Sequence, residues 1–310
     1  EGRGDQKELL GGKGAGLAEM TRLGLPVPAG FTITTDVCDL YYRAGKRWPK
    51  GLDAEIKSAL KRLENVAGKK LGDPQDPLLV SVRSGAARSM PGMMETILNL
   101  GLNDKSVEGL AQGTSNPRFA YDAYPRFIMM YGSTARGIER EKFDHQFQAI
   151  KEERTRKRLG IAADAKVADT QVDEAELRDV VHRMKKIYLQ HTREHFPQDP
   201  WDQLVGSVNA VFNSWMAEKA VTYRRVEKIS GLKGTAVNIV QMVFGNMGED
   251  SGTGVCFTRD PNSGEDVFYG GFLPNAQGED VVAGVRTPLK LSELERRMAP
   301  VYYQLVKERK

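Results

Sequence analysis

Two cations stand where a chain can be built to hold an anion. Lys13 lies in Leu9-Leu10-Gly11-Gly12-Lys13-Gly14, a glycine-rich turn running into apolar positions Leu17, Met20 and Leu23 at helical spacing. Such a turn presents the N–H groups of a helix start, which attract negative charge. Arg83 follows the apolar run Leu78 to Val82, which reads as a short buried strand giving way to a loop at Arg83-Ser84-Gly85. A charge emerging from a buried strand beside a glycine is a common way to make an anion site. Arg suits phosphate in particular, because its planar fork donates two hydrogen bonds and stays charged when desolvated. A Gly/Pro loop with a snorkelling Arg fits the same residues. Neither segment has a P-loop: Lys13 is followed by Gly14 where that motif needs Ser or Thr, and the glycines do not follow the dinucleotide spacing.

Other segments carry weaker signals. The loop from Ser89 through Met90, Gly92 and Met93 to Thr96 offers backbone N–H groups, a glycine for close approach and methionines for a lid; a packing turn with core methionines is the plain reading. Gln241-Met242-Val243 could offer a strand backbone to a planar ligand. Glu279 and Asp280 follow a glycine and are candidate metal or ribose ligands, or solvated acids. The four histidines, His145, His182, His191 and His195, all fall in a helical middle region away from glycine loops. His191 and His195 at i, i+4 hint only weakly at a metal.

The elements that must position these residues are legible in outline. Phe31–Thr34 reads as a strand, 52–66 as a helix with Ile56, Leu60, Leu63 and Val66 on one face, and about 117–196 as a charged helical insertion. Within it 173–195 aligns Leu177, Val180, Val181, Met184, Ile187 and Tyr188, and 150–172 reads as a solvated helix end and loop. Strands return at Ala236–Phe244, Gly254–Thr258 and Val267–Tyr269, and a helix with Leu294, Met298, Val301 and Leu305 aligned closes the chain over 292–308. At 310 residues two or three compact units are expected, and a net charge of +4 argues against nucleic acid as the main partner. Cys38 and Cys256 make neither a disulfide framework nor a thiolate metal site and suit a reducing cytoplasm; no apolar run is long enough to span a membrane. The first residue is not Met, which reads as a fragment.

Long blocks then carry a resemblance. SVRSGAARSMPGMMETILNLGL, over 81–102, resembles the signature of the pyruvate, phosphate dikinase family in its N-terminal ATP-binding domain. LLGGKGAGLAEMTRLGLPVPAGFTITT, NPRFAYDAYPRFI, GTAVNIVQMVFGNMGEDSGTGVCFTRDPNSGE and NAQGEDVVAGVRTP agree in order across 8–288. The related phosphoenolpyruvate synthases share the SVRS core; the SMPGMM-T-LNLG continuation resembles the dikinase branch.

The resemblance implies an α/β (α+β) chain with the ATP-grasp fold, ATP held between two α/β parts and a helical insertion subdomain beside them. The parts map as 1–110 with 198–243, the helical insertion 111–197, and a second ATP-grasp subdomain 244–310. It implies Lys13 and Arg83 on the phosphates, where they would also act in catalysis. The loop carrying Ser89, Met90, Gly92, Met93 and Thr96 lies over them, Gln241, Met242 and Val243 near adenine, and Glu279, with Asp280 beside it, near the ribose. The family moves a phosphoryl group from ATP to a histidine on a separate swivelling domain, then to pyruvate, giving phosphoenolpyruvate. The TSHAA-type histidine motif and the FTIEEGKLYFLQTR-type end motif are not in the chain, so magnesium ligands are expected mainly beyond residue 310. The chain alone is expected to bind ATP or AMP and phosphate without full turnover. The resemblance also implies a cytoplasmic enzyme (plastid in a plant) and a homo-oligomer when intact. A phosphoenolpyruvate synthase-like domain and a non-catalytic nucleotide-sensing module are the alternatives.

Overall fold

A computed structural model of the chain describes residues 2–282 and 287–309, apart from the side chains of Glu279 and Val282. The chain is mixed α/β with antiparallel sheets, and it divides into two compact units, Glu1–Met242 and Val243–Lys310.

The first unit is built on a four-stranded antiparallel sheet. Its strands are β1 (Gly30–Ile33), β4 (Val80–Gly85), β5 (Thr96–Leu100) and β6 (Ala236–Gln241), in the order β1-β6-β4-β5. A separate two-residue pair, β2 (Lys70–Leu71) and β3 (Pro77–Leu78), precedes β4. β4 runs three residues past the expected end at Val82. β6 pairs with it as far as Gly85↔Ala236, so Arg83 sits inside the strand rather than in a loop. It is the one exposed residue of β4; Val80 and Val82 are fully buried.

Helices α1 (Lys7–Arg22), α2 (Thr35–Arg43) and α3 (Leu52–Ala67) contact this sheet, as does α9 (Pro200–Ser214). α3 buries Ile56 and Leu63 as its periodicity predicts, whereas Val66, at its last turn, is 75% exposed. The helical stretch comprises α4 (Ser106–Gly113), α5 (Pro117–Arg136), α6 (Arg140–Ile150), α7 (Arg156–Leu159) and α8 (Glu174–Thr192). α5 starts where Asn116 accepts from the Phe119 N–H and Pro117 occupies the first turn, and it stops at Gly137 in the left-handed region. It meets α8 through interleaved rings of Phe127, Tyr131, Tyr188 and Phe196, with centroids 5.3–6.4 Å apart. Most of the apolar stripe read from 173–195 is buried there.

The stretch 150–172 is less solvated than expected. A π-turn (Lys151–Thr155) puts Lys151 in the interior, paired with Asp169 at 2.7 Å, and Thr155 onto the buried Glu176 at 2.9 Å. A buried ammonium persists only with such a partner, so the charged sequence hides a packed turn. Helix α10 (Glu218–Val226) leads back to β6. Trp48 and Trp201 meet edge to face at 6.4 Å, and Trp215 carries the Arg224 guanidinium 3.9 Å above its ring.

The second unit is a three-stranded antiparallel sheet, β7 (Gly252–Phe257), β8 (Tyr269–Pro274) and β9 (Leu289–Lys290), with α11 (Gly278–Val282), α12 (Leu291–Arg297) and α13 (Ala299–Arg309). β8 begins where the sequence reading ends its strand. Gly270 and Gly271 look like breakers, yet a Cβ on Gly270 would meet Cys256 Cα at 2.7 Å, so glycine permits the close pairing. The closing helix is broken at Met298, where Pro300 lacks the N–H that a continuous helix needs. Phe272, Leu291 and Leu294 form its core.

Candidate functional site

The site grows from one rung across the sheet of the first unit. Thr32 of β1 lies opposite Asn238 of β6, Asn238 opposite Arg83 of β4, and Arg83 opposite Thr96 of β5. Residues directly opposite in a sheet share a face. Four polar side chains therefore line up across a sheet whose strands are otherwise largely apolar.

Helix α1 packs on that face and brings Lys13. α1 is interrupted at Gly11, with φ 68° and ψ 168°, and resumes at Gly12. The glycine turn is thus real, and it lies inside the helix rather than before it. The Gly12 N–H donates to Ala86 O at 2.9 Å, fastening the restarted helix to the chain just past β4. Lys13 follows at once, close enough to Arg83 for their charges to interact. Lys13 is exposed as a residue, yet neighbouring atoms desolvate its ammonium. That desolvation first, and the Arg83 charge second, hold its pKa below the ordinary lysine value. Among the described residues neither Lys13 nor Arg83 has an ion-pairing carboxylate. By contrast Arg126, Arg158, Arg178 and Arg183 are all paired. Two adjacent cations without a counter-charge are what an anion site requires.

The loop between β4 and β5 is an arch pinned at both ends. Met90, expected as part of a lid, is only 6% exposed and anchors one end in the core. Glu95 anchors the other, accepting from Lys219 Nζ at 2.7 Å and Thr134 Oγ1 at 3.4 Å. Between them the Met93 N–H donates to Met90 O at 3.1 Å across Pro91-Gly92, with Gly92 at φ 72°. Pro then Gly with positive φ is the type II turn pattern. Ser89 and Gly92 are exposed, Met93 and Thr96 half-buried.

The other expected residues sit as follows. The Gln241 and Met242 N–H groups donate to Ala29 O at 2.8 Å and Leu79 O at 2.9 Å, so the sheet uses both donors. Val243 is 66% exposed. In the second unit the Asp280 carboxylate accepts from the Gln277 N–H at 2.9 Å, closing the turn into α11. The backbone of Glu279 lies in α11; its side chain, like residues 283–286 of the NAQGEDVVAGVRTP block, lies outside the described residues. All four histidines are exposed. Among the described residues no three His, Cys, Asp or Glu side chains group to hold a metal ion, and no helix is long and apolar enough to cross a membrane. Asn238 and Thr32 went unmarked in the sequence, although an Asn inside Ala-Val-Asn-Ile-Val was a visible signal.

The family model described as pyruvate phosphate dikinase, AMP/ATP-binding domain, matches residues 7–63 and 44–308. The chain is 51% identical over 307 residues to a pyruvate, phosphate dikinase of Clostridium symbiosum, covering 99% of this chain and 34% of that protein. It is 53% identical over 306 residues to a chloroplastic pyruvate, phosphate dikinase of Flaveria trinervia, covering 99% of this chain and 31% of that protein. To the pyruvate, phosphate dikinase of Entamoeba histolytica it is 48% identical over 314 residues, covering all of this chain and 34% of that protein. The chain thus spans about a third of the length of these relatives.

Proposed function

Because the chain belongs to the pyruvate phosphate dikinase AMP/ATP-binding domain family, we propose that it grips the phosphates of ATP with Lys13 and Arg83. The observation that carries this is the pair itself, two neighbouring cations on one sheet face with no carboxylate partner among the described residues. Desolvation and the neighbouring Arg83 charge make Lys13 costly to hold charged, and a phosphate relieves that cost. The Thr96 hydroxyl, next to Arg83 on the rung, and the N–H groups of Ser89 and Gly92 in the arch supply neutral donors. Gln241 to Val243 face the base through carbonyls, and Glu279 and Asp280 act at the ribose. Magnesium would accompany ATP in this chemistry; among the described residues no three His, Cys, Asp or Glu side chains group together.

For the whole protein we read the reaction as ATP, phosphate and pyruvate going to AMP, diphosphate and phosphoenolpyruvate. The phosphoryl group passes through a histidine on a swivelling domain, in a homo-oligomer of the cytoplasm or, in a plant, the plastid. The helical stretch 111–197 is read as a subdomain between 1–110 and 198–243, with 244–310 completing the fold. Here the chain's own residues bind and orient the triphosphate.

Two results test the site. A phosphate beside Lys13 should raise its lowered pKa, so the bound state holds a proton that the free state has lost at alkaline pH. ATP binding is then expected to take up protons there. Affinity should fall as pH climbs from the free Lys13 value toward the bound one, and level off above it. Calorimetry in buffers of different ionisation enthalpy reads this directly; proton release, or an uptake that persists in Lys13→Ala, would contradict it. Gly92→Val is the second. A Cβ there meets open space, but φ is 72°, so the cost is backbone strain of about 1–2 kcal/mol per residue. The variant is expected to lose ATP affinity more than melting temperature, whereas a large melting loss with unchanged affinity would make the arch a packing turn.

A further inference from the structure

Asn238 has no place in the phosphate grip described above, yet its surroundings are unusual. It is 1% exposed at the middle of an inner strand, where Asn is disfavoured and a buried amide is costly unless hydrogen-bonded. Its amide is held edge-on. Thr32 Oγ1 donates to Oδ1 at 2.9 Å, and Nδ2 makes a long 3.5 Å contact with the carbonyl oxygen of Arg83.

The amide occupies a slot between two glycines. A Cβ on Gly14 would lie 2.8 Å from Oδ1 and 3.1 Å from Thr32 Oγ1, and a Cβ on Gly85 would lie 2.5 Å from Nδ2. Gly14 is the residue after Lys13, and Gly85 stands two residues past Arg83. One amide therefore touches both cation-bearing elements, each at a glycine that leaves room for it. The helix comes down at Oδ1 and the strand beside Nδ2, so the amide fills the space that the two glycines leave between them.

Resting on the reading of Lys13 and Arg83 as the phosphate grip, we infer that Asn238 is a positioning residue that sets the spacing of the two cations. Displacing a binding group by about an ångström can cost orders of magnitude in a well-oriented site, so the spacing is a quantity worth fixing with a buried polar group. Leu or Val at 238 could fill similar volume, but neither would take the Thr32 hydrogen bond or present a planar edge to both glycines.

The test is a size exchange, read by calorimetric binding of ATP and of inorganic triphosphate to the 310-residue chain. Lys13→Ala and Arg83→Ala come first. If neither weakens either ligand, the phosphate reading fails and this inference falls with it. If they do, Gly14→Ala is expected to weaken both ligands by about tenfold or more, since its methyl drives the helix off Oδ1. Asn238→Ala should cost several-fold alone. Gly14→Ala combined with Asn238→Ala should bind better than Gly14→Ala, because removing the amide makes room for the methyl. If the helix did not bear on the amide, the two positions would act independently and the losses would add; additive losses would overturn the inference while leaving the phosphate reading intact. Should Gly14→Ala fail to fold, Thr32→Val removes only the hydroxyl that orients the amide. It is expected to weaken triphosphate binding about threefold while leaving a folded protein, and unchanged binding would equally overturn the inference.

Discussion

Arg83→Ala is expected to weaken ATP binding by about ten- to a hundredfold while leaving the fold nearly untouched. A hydrogen bond to a charged group contributes roughly 1.5–3 kcal/mol, which corresponds to that range of affinity. The fold should tolerate the change because the Arg83 side chain is exposed and, among the described residues, has no ion-pair partner to strand. Surface changes of that kind stay within about 0.5 kcal/mol. Lys13→Ala should behave alike. Arg83→Lys should recover only part of the loss, since an ammonium cannot reproduce the planar two-donor fork. Arg154→Ala serves as control, being half-exposed and only loosely paired with Asp179 at 3.5 Å. Calorimetric titration of the four variants decides the matter; Arg83→Ala binding like the parent would remove the phosphate assignment.

Gly11→Ala is expected to be the most damaging single methyl in the first unit. Gly11 sits at φ 68°, and a Cβ there would land on the carbonyl of Gly85, a backbone group held by the pairing of β4 with β6. Left-handed strain costs about 1–2 kcal/mol, and overpacking against something that cannot rotate away adds about 1–3 kcal/mol. For a unit of this size the sum lowers the melting temperature by roughly 5–15 °C. Because the displaced helix start carries Lys13, ATP affinity should fall in the same variant. Gly16→Ala, where a Cβ meets nothing within 4 Å and φ is ordinary, should match or slightly exceed the parent in stability. A scanning melt of the two alanine variants compares them; equal melting temperatures would mean that α1 does not rest on Gly85.

The candidate phosphate-binding residues are easier to read in the sequence than the reason they meet. Lys13 and Arg83 stood out because a cation beside glycines is a local pattern, complete within six residues of sequence. Their proximity is not local: it needs β6, more than 150 residues after Arg83, to slide between β1 and β4. The same topology explains why β4 overruns its expected end, since pairing with Ala236 to Asn238 keeps Arg83 to Gly85 extended. Asn238 was passed over because the strand around it reads as apolar, and the meaning of one polar residue there depends on Thr32 and Gly14. In the second unit the strand expected at Val267–Tyr269 stops short of Gly270 and Gly271, where glycine instead permits close strand pairing. The break at Met298 was legible in Pro300 and was outweighed by an apparent period of apolar residues.

The placement of the three indoles has a spectroscopic consequence. Trp48, Trp201 and Trp215 all belong to the first unit; 243–310 contains no tryptophan and only tyrosines at 269, 302 and 303. Indole emission therefore reports the melting of one unit alone, while far-ultraviolet dichroism sums the helices of both. If the units lose structure at different denaturant concentrations, the two optical transitions will not coincide, and a single unfolding free energy fitted to either would describe neither. A tryptophan placed at Tyr302, beside Phe268, would give the second unit an emission of its own.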